Sequence, residues 1–396
     1  MASFHFFELN KLREESVMVS NQYAPLPEGW QCKGLVMHFA PHFDEILATW
    51  IFYYFDHVGQ KYPGASRAEH RVRNEREEIR NGEEVLLRDG YIPLGWGNGR
   101  FCEHPDPTAG IVRKDNHCCA TLVAEDLGVR DHPYLKGILD YALHDDMKGG
   151  QDKRHIPYVI QVFHRQNMEY RIVMQWTFDA IHAKYVDVYR GGSSGDDWSI
   201  ETIAKLIESQ YPNDQGRAEA WLTLGADALT EQDRRFREVT PIEYKKKAKV
   251  TPFNWIDRRG KSHTLTIVSA KTDDDQFGSY ARSKVGGGAA VVIIQNSRKQ
   301  VQILLNKYYQ KFGLTLDDVT KLIRLNEQKA HGRVAKSDFL KVRLEGMLES
   351  DDRWHYFTEG QVLLNGGFTA PHVKPTQLAF DRIVKIVHSV LDQSVQ

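Results

Sequence analysis

The chain has 396 residues, a formal net charge of −1 and 41% hydrophobic content, with 11% aromatics. That composition is ample for packed cores and excludes wholesale disorder, and the length suits two or three domains. The balanced charge excludes a global pull towards nucleic acid or anionic membrane, so any such affinity must come from a local patch.

The opening stretch MASFHFFELNKLREES lacks a basic segment followed by an apolar one, and does not read as a signal peptide. "GLVMHF" (34–39) is a compact apolar run bounded by glycine and then Pro41, the pattern of a short buried strand. A helix is predicted from Asp44 to Phe55, with Asp44 and Glu45 near its start, where the helix dipole favours carboxylates. Residues 66–84 alternate charges of both signs and read as a solvated face or lid. "GWGNGRFCEHPDP" is a glycine- and proline-rich loop, and "NHCCATLVAEDLG" a short helix capped by Asn116 and stopped by Gly128. "YLKGILDYALHDDMKGG" predicts a further helix, ending in His144, Asp145 and Asp146 before two glycines. Residues 155–190 read as helical and aromatic, and another helix is expected from about Ser199 to Ser209.

A second unit is expected near residue 250, after the basic run EYKKKAKVTP. "HTLTIVSA", "AAVVIIQN", "KQVQILL" and "GQVLLNGG" read as strands, with helices near 315–325, at 337–349 and from Thr376. The longest apolar runs fall far short of a membrane span. The four cysteines, Cys32, Cys102, Cys118 and Cys119, include no CxxC pair and suit a reducing interior. The expected protein is soluble and cytoplasmic. Its fold class is α/β, with units at 1–150, 151–249 (a helical connector) and 250–396 (a smaller α/β unit).

The chemistry concentrates in the first unit, where most of the 17 histidines lie. His38, His42 and Asp44 form H-x3-H-x-D on a loop leaving a strand end, where open α/β sheets place their ligands. Mixed imidazole and carboxylate donors suit Mn, Fe or Zn better than Ca or Mg. Glu103–His104 and His144–Asp145–Asp146 end segments that could join the same sheet, though such acids also cap helices. In the second unit "SYARSKVGGGAAVVII" sets Arg282 and Lys284 before Gly286, Gly287 and Gly288; bare amides with two cations suit phosphate, and a tight turn explains the triplet equally well. "NGGFTAPHVKPT" offers His372 and Lys374 as helpers. No GxSxG elbow, GxxxxGK[ST] loop or HExxH motif competes.

A strand, then H-x3-H-x-D-E, a glycine loop and an acidic helix end resemble the DHH phosphoesterase superfamily, and within it the melanocyte-proliferating-gene exonuclease family. "MHFAPHFDEILA" is similar to the first motif, "GWGNGRFCEHP" stands in place of the glycine turn and DHH element, and "ILDYALHDDMKGG" resembles the acidic segment. The resemblance covers roughly residues 32–150. It implies a DHH-like parallel-sheet domain with His38, His42, Asp44, Glu103 and Asp145 as metal ligands (Asp146 the second choice), and Mn2+, or Mg2+ or another divalent ion, as cofactor. It further implies hydrolysis of phosphodiester bonds in RNA, short oligonucleotides or a nucleotide second messenger. Asp44 and His104 would be the catalytic groups, and Arg282, Lys284 and Gly286–Gly288 would hold substrate. The expected partners are a nucleotide or short single-stranded nucleic acid, with no membrane and with homodimer formation left open. Two departures stand out. No aspartate directly precedes the glycines of PLGWGNG, Asp89 lying a few residues upstream, and Pro105 takes the place of the second histidine. They keep an alternative open: a family member that binds a nucleotide or a protein partner without hydrolysis.

Overall fold

The computed structural model describes residues 26–59, 61–73, 82–97, 99–104, 116–149, 152–193, 197–332, 353–367 and 373–393. Strand β1 (Gly34–Met37) is buried along its whole length, as expected for the centre of a parallel sheet covered on both faces. It pairs in parallel with β2 (Glu69–Val72) and β3 (Tyr91–Pro93), in the order β2-β1-β3. Gly34 is required at the start: a Cβ there would lie 2.9 Å from both the Glu69 carbonyl and the Tyr91 ring.

Helix α1 (Phe43–Gly59) follows β1 directly and runs beyond the expected Phe55. The charged run at 66–84 corrects the expectation of a wholly solvated face, because its residues 69–72 form β2. As an edge strand it keeps polar side chains, with Arg71 lying 4.8 Å from the centre of the Tyr91 ring. Helix α2 (Gly82–Arg88) leads into β3, whose Pro93 is tolerated at the other edge.

Helix α3 (Cys119–Asp126) is not capped by Asn116, which instead adopts a left-handed φ of 61° in the preceding turn. The cap is Cys118, whose N–H donates to Thr121 Oγ1 at 2.8 Å. Helices α4 (Lys136–Lys148), α5 (Ile156–Arg165), α6 (Tyr170–Tyr189), α7 (Ile200–Gln210) and α8 (Gln215–Arg234) complete the first half. Ser199 caps α7 by accepting from the Thr202 N–H. One apolar cluster, from Trp30 to Ala228, joins the three-stranded sheet to α1 and α3–α8.

A π-helical turn (Arg235–Val239) and α9 (Thr240–Lys247) lead into a six-stranded mixed sheet. Its strands are β4 (Lys249–Ile256), β5 (Ser262–Lys271), β6 (Val291–Gln295), β7 (Val301–Leu305), β8 (His355–Phe357) and β9 (Val362–Asn365), in the order β4-β5-β6-β7-β9-β8. Only β5 and β6 run parallel, joined by α10 (Phe277–Arg282). Alternation along β6 sends Val291 and Ile293 into one apolar cluster and Val292 and Ile294 into another. Helices α11 (Lys307–Gln310), α12 (Asp317–Ala330) and α13 (Phe380–Leu391) complete the described elements. The helix expected at 337–349 lies outside the described residues. Among the described residues no helix is long and apolar enough to cross a membrane.

Helices α6 and α8 are locked by a pair of tryptophans. Trp176 and Trp221 stack at 4.4 Å and 2°, and each indole N–H donates to the other's backbone carbonyl, at 2.9 and 2.8 Å. Trp221→Ala should therefore cost ~3–5 kcal/mol of stability, removing a large buried side chain together with its hydrogen bond to the Trp176 carbonyl. Denaturant unfolding at unchanged m-value checks this; a loss below ~1 kcal/mol would show the pair to be a minor contact.

Candidate functional site

The site is built where β1 hands over to α1. The chain turns through His38–His42, and Glu45, one turn into the helix, clasps both ends of that loop. Its Oε1 accepts the His38 N–H at 2.9 Å and lies 2.8 Å from His38 Nδ1, while its Oε2 accepts the His42 N–H at 2.9 Å. Burial opposes the Glu45 charge, but the His38 ring and its hydrogen bonds, with His42, outweigh it and bring the pKa down to about 2. His38 moves the other way: burial lowers its pKa, and Glu45 and Glu103 more than offset this, with Arg73 opposing. The glycine turn closes over the clasp. Gly95 has φ of 73°, and a Cβ there would lie 2.9 Å from Glu45 Cγ and Oε1. Its N–H donates to Phe101 O at 3.0 Å, setting the direction of the chain towards Glu103.

Three carboxylates meet beside this loop. Asp44 (α1), Glu103 (the loop after the glycine turn) and Asp146 (the last turns of α4) each offer an oxygen, all within 4.8 Å of one another. Asp44 Oδ2 accepts the N–H of Cys119, the first residue of α3, at 3.1 Å. Glu103 is 2% exposed, its Oε1 lies 3.1 Å from His104 Nδ1, and its buried Oε2 has no hydrogen-bond partner. Burial first, and then Asp146, pushes Glu103 up to about 8. Burial, followed by Asp146, Glu103 and Glu45, holds Asp44 well above the usual carboxylate range. Asp145 is raised to about 7, by burial and then by Asp146. Cys118 and Cys119 are pushed up by burial and by Asp44, so their thiols stay protonated. A second donor group, His42, Asp44 and Glu45, meets the same 4.8 Å spacing and shares Asp44 with the first.

Of the residues expected as ligands, His42, Asp44 and Glu103 fall in these two groups. His38 is engaged by Glu45 instead, and its ring stands edge-on to His104 at 6.0 Å. Asp145 belongs to neither group and its neighbour Asp146 does, since successive helical residues diverge by about 100°. His104 is about half exposed, with Nδ1 also 3.7 Å from Cys102 Sγ. His117 lies 3.5 Å from Glu125 on α3, and Asp89 lies 3.8 Å from Arg88. Pro105, Asp106 and His372 lie outside the described residues. Glu45, read from sequence only as a helix-dipole partner, is the organiser of the loop; the adjacent D-E pair was its signal.

The glycine triplet lies in the other sheet, between α10 and β6, and it is a closed turn. The Gly286 and Gly288 amides donate to the Ser283 carbonyl and that of Gly287 to the Lys284 carbonyl. A Cβ at Gly286 would lie 2.0 Å from the Tyr280 carbonyl, and Gly287 and Gly288 hold φ of 95° and 65°. Arg282 donates to the carbonyls of Gly278 and Leu305, at 3.0 and 3.1 Å, and Lys284 is exposed. Lys374 gives its own carbonyl to the Asn365 side chain at 3.1 Å.

Comparison with family models, curated proteins and solved structures returns no match to this chain. The functional reading therefore rests on geometry. Oxygen donors from three elements, two of them buried and the third half-buried, suit a hard or intermediate divalent cation.

The crowded carboxylates make the metal-free protein pH-sensitive. Glu103 titrates at about 8 in the folded chain against an ordinary 4.5, so between these values the folded state holds a proton that the unfolded state has lost. Its stabilising contribution is complete below the lower value and is lost as pH rises through the upper one. Glu103→Gln should raise the melting temperature of chelator-treated protein by a few degrees above pH 8, with little change at acidic pH. Melting curves that coincide at every pH would remove the crowding argument.

Proposed function

We propose that the chain is a divalent-metal-dependent phosphoesterase, hydrolysing phosphodiester bonds in RNA, short oligonucleotides or a nucleotide second messenger. The observation that carries this reading is the buried, unpartnered Oε2 of Glu103, grouped with Asp44 and Asp146. A fully buried carboxylate oxygen without a donor is costly, and a cation removes that cost. Asp44, Glu103 and Asp146 would hold the ion, with His42 as the neighbouring imidazole donor. Mn2+ is the preferred cofactor, because the two groups together mix carboxylate with imidazole; Mg2+ or another divalent ion is the alternative.

A bound divalent ion supplies charge stabilisation for phosphate oxygens. The chain's own residues do the rest. Glu45 fixes the His38–His42 loop, so that His42 and Asp44 keep one relative position. Asp44 is tied to the start of α3 through the Cys119 N–H, which orients its carboxylate. His104 is assigned proton transfer at the leaving oxygen, its ring oriented by Glu103. Arg282 is spent on backbone carbonyls in this reading, which leaves Lys284 as the nearer candidate for substrate contact.

The proposed layout is a DHH-like catalytic unit at 1–150, helices at 151–249, and a substrate-holding unit at 250–396. The division near 250 is supported by two sets of apolar clusters without a shared member, one ending at Ala228 and the others lying between Phe253 and Leu391; the first cluster crosses the division at 150. Helices α5–α8 add to the first core and are not a bare linker.

Asp44→Asn tests the reading. The amide keeps the shape and loses the charge, so hydrolysis of a small phosphodiester should fall about 100-fold or more. Metal content by elemental analysis should fall with it. Full activity with normal metal content would overturn the proposed centre. Stoichiometric metal in the parent chain without turnover of any phosphodiester would favour the non-hydrolysing reading.

A further inference from the structure

The six-stranded sheet carries a second feature, remote in sequence from the carboxylates. Helix α11 and the turn that follows it leave two large aromatic side chains in solvent, Tyr308 at 56% and Phe312 at 36% exposure. Their rings lie 5.5 Å apart at 63°, with Lys311 Nζ 4.0 Å from the centre of Tyr308 and 5.1 Å from that of Phe312. Two further segments are tied to this helix. The β4–β5 turn reaches it through the Arg258 N–H, which donates to Phe312 O at 3.5 Å, and through the His263 ring, 6.4 Å from Phe312. The glycine turn reaches it through Tyr309 OH, which donates to Gly288 O at 3.3 Å.

These segments meet at the end of the sheet where β5 and β6 begin and β7 ends, and they carry six exposed cations: Arg258, Arg259, Lys261, Lys284, Lys307 and Lys311. Among the described residues none of the six is in an ion pair. The one acid within the three segments, Asp257, is buried and already bound to His263 and to the amides of Arg259 and Lys261.

We infer that this face is a stacking platform for single-stranded nucleic acid, with Tyr308 and Phe312 receiving bases and the cations tracking the phosphates. Every base offers a π-face, and alternating aromatic and basic groups match a single strand's base-and-phosphate repeat. A protein partner is disfavoured, because interface cores are depleted in lysine. A membrane is disfavoured too, because a helix of four residues offers no long apolar face to lie in a bilayer surface. The inference rests on the phosphoesterase reading only in taking this ligand to be the substrate, and it then selects a polynucleotide over a second messenger.

The test is fluorescence anisotropy with a labelled oligouridylate of about a dozen nucleotides, and its oligothymidylate counterpart, in chelator so that no hydrolysis occurs. The full chain should bind both at low salt. Tyr308→Ala with Phe312→Ala should weaken binding by about 5- to 150-fold per lost stack. Lys311→Ala should lower the salt slope by about 0.7. The pair Tyr308→Phe and Phe312→Tyr, which keeps both rings, should bind as the parent does. Hydrolysis of bis(p-nitrophenyl) phosphate should be unchanged in the platform variants, and oligonucleotide binding unchanged in Asp44→Asn. No binding by the parent chain at low salt overturns the inference, as does binding that ignores the aromatic substitutions. Equal affinity for heparin or anionic vesicles, with the same indifference to the rings, does so too. Loss of hydrolysis with intact binding bears only on the phosphoesterase reading. If the double alanine variant fails to fold, the exposed Lys311→Ala and its salt slope decide the matter.

Discussion

Asp44, Glu103 and Asp146 cannot all carry charge within 4.8 Å of one another in a buried setting unless a counter-charge joins them. Most of the first half of the chain is arranged so that they meet regardless. The three acids come from separate elements, and each element is held by its own device. Asp44 rides on α1, which is fixed to β1 through the Glu45 clasp. Glu103 follows a glycine turn that only a residue without a Cβ can close against Glu45. Asp146 arrives on α4, whose Ile138, Leu139, Tyr141 and Ala142 are buried in the main apolar cluster.

The two carboxylates that begin α1 show how environment divides labour between neighbours. Glu45 is met by two backbone N–H groups and an imidazole, and stays ionised far below neutrality. Asp44, one residue earlier, receives a single N–H and faces other acids, and its charge is disfavoured. Adjacent acids of the same helical turn thus serve as a fixed anchor and as a group whose charge its surroundings disfavour. Separating titrations in this way is how a single scaffold keeps structural and reactive carboxylates apart.

Much of this was legible in the chain. Compact apolar runs gave β1 and β6, because both strands bury both faces and need no alternation. The H-x3-H-x-D-E stretch marked the junction, and its acids and imidazoles are where the donors gather. β2 was not legible, since EHRV is an edge strand whose side chains are satisfied by ring stacking and hydrogen bonds. Asp146 was placed behind Asp145 by the resemblance of the acidic segment, which carries no information on which of two adjacent side chains the helix turns towards Asp44 and Glu103. Neither could the sequence show that the Gly286–Gly288 amides turn inward. That depends on Ser283 and Lys284 carbonyls lying within reach, a property of the α10–β6 connection.

The closed glycine turn limits what the second sheet can offer to any ligand at that end. A loop whose amides are already bonded offers a ligand its side chains and its shape, and little of its backbone. Arg282 is removed from the surface by the same logic, its guanidinium spent on two carbonyls of its own surroundings. Beside that turn Lys284 and Val285 stand in solvent, and across Tyr309 so do Tyr308 of α11 and Phe312 of the turn after it. The glycine turn therefore acts as a buttress that fixes α11 against β6: Tyr309 OH donates to Gly288 O, the Asn306 N–H donates to Ala290 O, and the triplet's own amides stay turned into its closed loop.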